Sequence, residues 1–253
     1  DYSQIELRIM AELSGDDKLK EGFFNNDDIH TITASNVFKI NIADVSREMR
    51  SKAKMINFGI LYGISAFGLS KRLDIPKSEA SEIITQYQNA YPDVQNYLER
   101  TILFAQKNGY VETITGRRRY IRDINAKNKL VSSGAERNAI NAPIQGTAAD
   151  MIKIAMIRIE NLLNKHKSDT KMLIQVHDEL VFDLAPKEQD LIPQIESIMR
   201  EAIPMEVPII IESVGDIWSA PAVIPTNPPN TPFINIVTSK FLLIKLEKSA
   251  APN

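Results

Sequence analysis

The sequence predicts an α+β fold, a helical middle flanked by segments that can build an antiparallel sheet. Three observations predict it. The stretch MLIQVHDELVFDL, residues 172–184, is two apolar, β-branched runs meeting at His177 and Asp178, which is a hairpin pattern. Long stretches such as 46–62 and 93–108 repeat apolar residues every three or four positions, which is a helical pattern. Glycine and proline fall between these stretches, where helices stop and start.

The elements follow in chain order. Residues 2–13 fit a helix closed by Gly15, and 28–39 a second. Ser46 can cap a helix running to about residue 62. Pro76 suits the first turn of a helix to Ala90, and Pro92 separates it from a helix at 93–108 that Gly109 ends. YVETITGRRRYI reads as a short hairpin around Gly116. Helices at about 132–141 and 145–165 are expected on either side of Pro143. After the 172–184 hairpin come a helix near 187–203 and an apolar strand, VPIIIESV. Residues 221–253 hold six of the thirteen prolines, which argues for a flexible tail and against a packed continuation of the sheet.

At 253 residues the chain can hold one large domain or two smaller ones. With 43% hydrophobic and 25% charged residues it has the composition of an ordinary soluble globular protein. It contains no run of 18 apolar residues and opens on no signal-peptide pattern, so neither a membrane span nor secretion is expected. The absence of cysteine excludes disulfides and thiolate metal sites and agrees with a cytoplasmic location. Residue 1 is Asp rather than Met, and the chain reads as a piece of something longer.

The net charge of −2 conceals an asymmetry. Residues 46–63 set Arg47, Arg50, Lys52 and Lys54 against Glu48, a local +3. Residues 110–140 set seven basic residues against Glu112, Asp123 and Glu136, a local +4. Such blocks are often only solvated faces. Two of them in an otherwise acidic chain point to a polyanionic partner.

Within 46–62, Arg50, Lys54, Phe58 and Tyr62 recur every fourth residue, so each is turned about 40° from the last on a helix. They form one slanting stripe about 18 Å long, opposite a core-facing stripe of Met49, Ala53, Ile56 and Ile60. Two cations followed by two aromatic rings suit a triphosphate and then a base. Gly59 and Gly63 suggest a close approach there by another backbone or a ligand.

The hairpin tip raises a separate question, because a two-residue loop usually takes Asn-Gly or Asp-Gly and here it is His-Asp. A solvated polar tip is one reading. The other is a carboxylate held at a strand end to bind a cation, with Asp1 as its partner, so that the two would hold a pair of hard divalent ions about 3.5–4 Å apart.

DYSQIELRIMAELSGD, RSKAKMINFGILYG, AINAPIQGTAADMIK and QVHDELVFD resemble, in order, the polymerase motifs of family-A DNA polymerases such as the bacterial DNA polymerase I type. The resemblance covers roughly residues 1–218. It implies a partial right-hand polymerase fold: palm at 1–14 and 141–220, mainly helical fingers at 15–140 and the proline-rich tail beyond. It implies template-directed DNA synthesis from deoxynucleoside triphosphates on a primer-template, by a monomer using two Mg²⁺ ions in a two-metal mechanism. Asp1 and Asp178 match the metal ligands, and Glu179 the adjacent carboxylate. Arg50 and Lys54 match the triphosphate-binding cations, with Lys54 also a candidate general acid for pyrophosphate. Phe58 and Tyr62 match the aromatic face at the nascent pair, Glu6 the steric gate against a ribose 2′-hydroxyl, and His30 and Tyr2 further nucleotide contacts. Arg137, Asn141, Gln145 and His177 match primer-template contacts.

No thumb or upstream palm strands precede these motifs in the sequence, so the fragment alone is expected to polymerise weakly or not at all. Two rivals remain. A metal-dependent nuclease would share the aspartates but has no need of Glu6 or the α-helical stripe. A non-catalytic DNA-binding fragment would tolerate loss of Asp178.

Overall fold

The structure, a computed structural model, describes residues 3–213 and the backbone of 240–244. The chain forms two compact units. The first comprises Ile5–Asp150 with Met205–Pro208, and the second is built on Met151–Pro204 with Ser3, Gln4 and the described residues from Ile209 onward.

The first unit is mainly helical. α1 (Ile5–Ser14) buries Ile5, Leu7, Ile9 and Met10 and stops at Gly15, whose φ of 71° few other residues adopt without strain. Two short helices were not anticipated: α2 (Asp17–Phe24), capped by the Asp16 carboxylate on the Leu19 N–H at 3.0 Å, and, further along, α5 (Ala66–Leu73), capped by Ser65. Eight residues give barely two turns of periodicity, and the cap chemistry is the only sequence signal such helices carry. Between them lie α3 (Ile29–Phe38), capped by Asp28, a 3-10 turn at Ile42–Asp44, and α4 (Arg47–Leu61), where the Ser46 hydroxyl accepts from the Met49 N–H. α6 (Lys77–Ala90) and α7 (Pro92–Asn108) follow as expected, with Pro92 in the first turn of α7 and Gly109 at φ 77° closing it. β1 (Tyr110–Glu112) and β2 (Arg118–Tyr120) pair antiparallel around a turn that holds Gly116 at φ 82°.

α8 runs unbroken from Lys129 to His166, with Pro143 inside it, where two helices were expected. Proline forfeits the bond to the Ala139 carbonyl and costs about 3 kcal/mol. That cost is outweighed by burial: Ala135, Ala139, Ile140 and Ala142 before the proline and Ile144 after it are all buried, so the helix is held across the proline by the core of the first unit.

In the second unit β3 (Lys171–Val176) and β4 (Glu179–Leu184) form the expected antiparallel hairpin, with a register shift between Met172 and Ile174. β4 is largely buried and β3 largely exposed. A third strand, β5 (Lys240–Ile244), pairs with β4, so the sheet order is β3-β4-β5. This strand lies in the segment expected to be a flexible tail apart from the sheet. The correction has a local reason, since KFLLI lies in the proline-free stretch 233–251 of that segment and β4 offers it a free edge. The rest of 221–253 lies outside the described residues.

VPIIIESV does not form the expected strand. A strand is defined by its partner, and among the described residues there is a single bridge at Ile211 and one bond from the Ser3 N–H to the Ile210 carbonyl, 3.0 Å. α9 (Leu191–Arg200) is shorter than the expected 187–203 helix and buries Leu191, Ile195 and Met199. Glu188, just before it, accepts from the Ser168 and Thr170 hydroxyls and from the Asp169 and Thr170 N–H groups. These bonds, the Ser168 hydroxyl first, hold its carboxyl down at about 2 and tie the loop that aligns β3.

Candidate nucleotide and metal sites

The α4 stripe is intact in the structure. Arg50, Lys54, Phe58 and Tyr62 are all half-buried, whereas Ala53, Ile56 and Ile60 behind them are buried; Met49 is only partly so. The Phe58 and Tyr62 rings stack with centroids 6.4 Å apart, and His30 lies 6.0 Å from Phe58. The Tyr62 hydroxyl donates to Glu6. Six of the sequence-derived site residues therefore share one face of the first unit: Glu6, His30, Arg50, Lys54, Phe58 and Tyr62.

Three acidic or polar residues escaped the sequence reading, two of them behind this face. Asp28 caps α3 and also accepts from Arg50 Nε at 2.5 Å and Nη2 at 3.3 Å, and from the Thr31 hydroxyl at 2.7 Å. Burial pushes its carboxyl up, but the bonds from Arg50, Thr31 and the His30 N–H together outweigh that and hold it below the ordinary value. Arg50 is thus held by a fork-shaped pair, with its guanidinium oriented before any ligand arrives. Asn57, 1% exposed, lies within hydrogen-bond distance of His30. Burial, with help from the Arg50 and Lys54 charges and against the pull of Asp28, lowers the His30 imidazole to about 4, so it is neutral near pH 7.

Asp150 is the third. It accepts from the Thr113 and Thr115 hydroxyls at 2.8 and 2.6 Å and from Arg117 Nε at 2.7 Å, and so clamps the β1-β2 hairpin to α8. Earlier on the same helix Arg137, Asn141 and Gln145 recur every fourth residue on one face of α8. Arg137 and Gln145 are exposed, and Asn141 has a buried Oδ1 with no hydrogen-bond partner among the described residues. Gln145 lines a cavity of about 140 Å³ with Arg117, Arg119 and Gly146.

The signals for these three existed but were weak. Asp28 stands two residues before His30 as an N-cap. Asn57 interrupts an otherwise apolar core stripe. Asp150 ends the AINAPIQGTAAD stretch.

The two glycines of the stripe are explained differently from the expectation. A Cβ at Gly63, φ 68°, would come within 2.6 Å of Ile140 Cδ1 and 3.1 Å of Arg137 Cγ, and one at Gly59 would lie 3.1 Å from Ile64 Cγ2. Side chains fill the space, so neither a second backbone nor a ligand is needed to account for them.

In the second unit the β3-β4 loop has only two residues, since Val176 pairs with Glu179. His177 takes φ 56° and Asp178 does not have positive φ, a turn whose first central position usually belongs to glycine. Asp178 is half-exposed at the tip and Glu179 is buried. Burial raises the Asp178 carboxyl, as does the Glu179 charge, against the lowering influence of its own backbone N–H and of His177. Among the described residues no three His, Asp or Glu side chains are grouped to hold a metal. Asp1 and Tyr2 lie outside the described residues. The donors present, one half-exposed carboxylate beside a buried one at a rigid strand end, suit a hard oxygen-seeking divalent cation. No helix among the described residues is long and apolar enough to cross a membrane.

Comparison with known proteins gives the family. The model of DNA polymerase family A matches residues 1–220, and the chain belongs to that family. It is 47% identical over 213 residues to DNA polymerase I of Caldicellulosiruptor bescii, covering 84% of this chain and 25% of the relative. It is 46% identical over 223 residues to DNA polymerase I of Pseudomonas aeruginosa, covering 86% and 24%. Its structure matches that of the POL domain of Pol1 from M. smegmatis, in complex with DNA primer-template and dNTP, with a TM-score of 0.80 and 42% identity over 83% of this chain and 37% of that one. The fold is therefore the expected α+β partial right-hand polymerase fold. The chain spans about a quarter of the length of the curated relatives it matches.

Proposed function

We propose that this chain is the nucleotide-selecting and metal-binding part of a DNA polymerase that adds deoxynucleoside triphosphates to a primer 3′-hydroxyl under template direction. The observation that carries the reading is the α4 stripe, two cations and two stacked rings in register with Glu6 and His30 on one face. Family membership over residues 1–220 supports it.

Residues 1–14 and 141–220 would be palm and 15–140 fingers. Arg50 and Lys54 would hold the triphosphate, Phe58 and Tyr62 would meet the base, and His30 and Tyr2 would complete the pocket. Glu6, held by Tyr62, would occupy the space a ribose 2′-hydroxyl needs. Arg137, Asn141, Gln145 and His177 would touch the primer-template, reading duplex shape rather than sequence. Asp178, with Asp1 and with Glu179 alongside, would hold two Mg²⁺ ions. When bound, such ions supply a more acidic primer hydroxyl and a stabilised pyrophosphate. Lys54 would deliver a proton to that leaving group. The protein would work as a cytoplasmic monomer, and the isolated 253 residues, a quarter of a relative's length, would extend primers weakly or not at all.

The test is Asp178→Asn in a chimera in which residues 1–220 replace the matching segment of the Pseudomonas aeruginosa relative. Primer extension should fall more than about 100-fold, since losing even the hydrogen-bond partner of a metal ligand costs 10–100-fold. Duplex binding should persist. Unchanged extension overturns the reading. Loss of DNA cleavage alone would favour a nuclease.

A further inference from the structure

Behind the α4 stripe runs a hydrogen-bonded chain that the proposed function does not use. Asn57 Nδ2 lies 3.0 Å from His30 Nδ1. The Thr33 hydroxyl donates to Asn57 Oδ1 at 3.1 Å, and Thr33 Oγ1 lies 3.2 Å from the Tyr91 hydroxyl. Asn57, Thr33, Tyr91 and His30 are each at most 3% exposed. An asparagine between two apolar core residues, Ile56 and Ile60, is expensive to bury unless its bonds are made, and both sides of its amide are engaged.

The polarity of this chain follows from counting protons. Thr33 has one hydroxyl proton. Given to Asn57 Oδ1, it leaves Thr33 Oγ1 to accept from the Tyr91 O–H, and it turns the Asn57 amide so that its N–H points at His30 Nδ1. A ring nitrogen that accepts carries no proton, so the proton of neutral His30 sits on Nε2. Among the described residues Nε2 has no hydrogen-bond partner, and it is not one of the fully buried polar atoms left without one, so it keeps the small solvent access of this 3% exposed side chain.

We propose that Asn57 is a positioning residue that fixes His30 in the tautomer with its proton on Nε2, so that the stripe offers a phosphate a neutral N–H donor beside the cations Arg50 and Lys54. This rests on the triphosphate reading of the stripe. An imidazole lone pair facing the same way would repel phosphate oxygens, so the tautomer decides whether His30 helps or hinders the ligand. Asn57 makes the choice without touching the nucleotide.

The experiment uses the whole chain labelled with ¹⁵N-histidine. With three histidines in the sequence, a long-range ¹H–¹⁵N correlation is readable, and loss of one pattern in His30→Gln assigns it. At pH 7 the wild type should give a protonated Nε2 and a bare Nδ1. In Asn57→Asp the carboxylate can only accept, so the proton should move to Nδ1; in Asn57→Leu the two tautomers should mix. Folding of each variant is checked by the backbone amide spectrum, and Thr33→Val, which removes the donor to Asn57 Oδ1, serves if either fails to fold and should likewise mix the tautomers.

A fluorescent deoxyadenosine triphosphate is then titrated into each protein. Binding should weaken by about tenfold in both the charged and the neutral Asn57 variants, the loss expected for one hydrogen bond to a charged group. A wild-type Nδ1–H, a tautomer unmoved by Asn57→Asp, or wild-type-like triphosphate binding in both variants overturns the proposal. If the wild type binds no triphosphate while the tautomers behave as expected, the lock on His30 stands and the nucleotide reading of the stripe falls.

Discussion

The α4 stripe and the β3-β4 tip carry the two halves of the proposed chemistry, and they are held in opposite ways. Each polar residue of the stripe and its face whose hydrogen bonds are described leans on a second residue: Arg50 on Asp28, Tyr62 on Glu6, and His30 beside them on Asn57. The tip instead relies on backbone. Two strands bring His177 and Asp178 to a tight loop, and His177 accepts a left-handed conformation to turn it. A side-chain network holds the donors that the proposed large anionic ligand would meet. A short turn with a left-handed first residue holds a half-buried carboxylate at a fixed strand end, where the proposed cation would meet it.

The largest expected stability effect tests how well the stripe is sealed. His30 is lowered from 6.5 to about 4, chiefly by burial, with Arg50 and Lys54 adding to the shift and Asp28 opposing it. The unfolded chain takes up a proton that the folded protein refuses. Stability from this source is therefore complete above pH 6.5 and is lost as pH falls toward 4, by at most about 3 kcal/mol. Urea unfolding at pH 7.5 and 4.5 should show that loss in the wild type and a smaller one in His30→Gln. Equal losses would mean that the imidazole is open to water.

Gly63→Ala comes next, because it forces a Cβ to within 2.6 Å of Ile140 and a side chain onto φ 68°. About 2 kcal/mol of destabilisation is expected in the same assay. The smallest effect has the opposite sign and belongs to the hairpin: His177→Gly should stabilise by about 1 kcal/mol, because glycine takes φ 56° freely. If it destabilised instead, the imidazole would be bracing the turn rather than straining it.

The contrast also explains what the sequence could reveal. The hairpin was legible because alternation has a period of two and a two-residue loop fixes its register, and the stripe was legible because four residues at one spacing mark one helix face. Asp28, Asn57 and Asp150 were not, because each works through a partner distant in sequence, and spacing is silent about such pairs. Pro143 misled for a related reason. Its local cost argues for a break, while the buried alanines and isoleucines that overrule it act through the tertiary core. The short helices α2 and α5 fell below the length at which periodicity speaks.

The most direct test of the central claim is a titration of the fluorescent deoxyadenosine triphosphate against the 253-residue chain and its Arg50→Ala variant. Saturable binding that weakens by about 10- to 100-fold on removing the guanidinium is the predicted result. Identical titration curves for the two proteins would contradict it, and with it the assignment of the α4 stripe to a nucleotide.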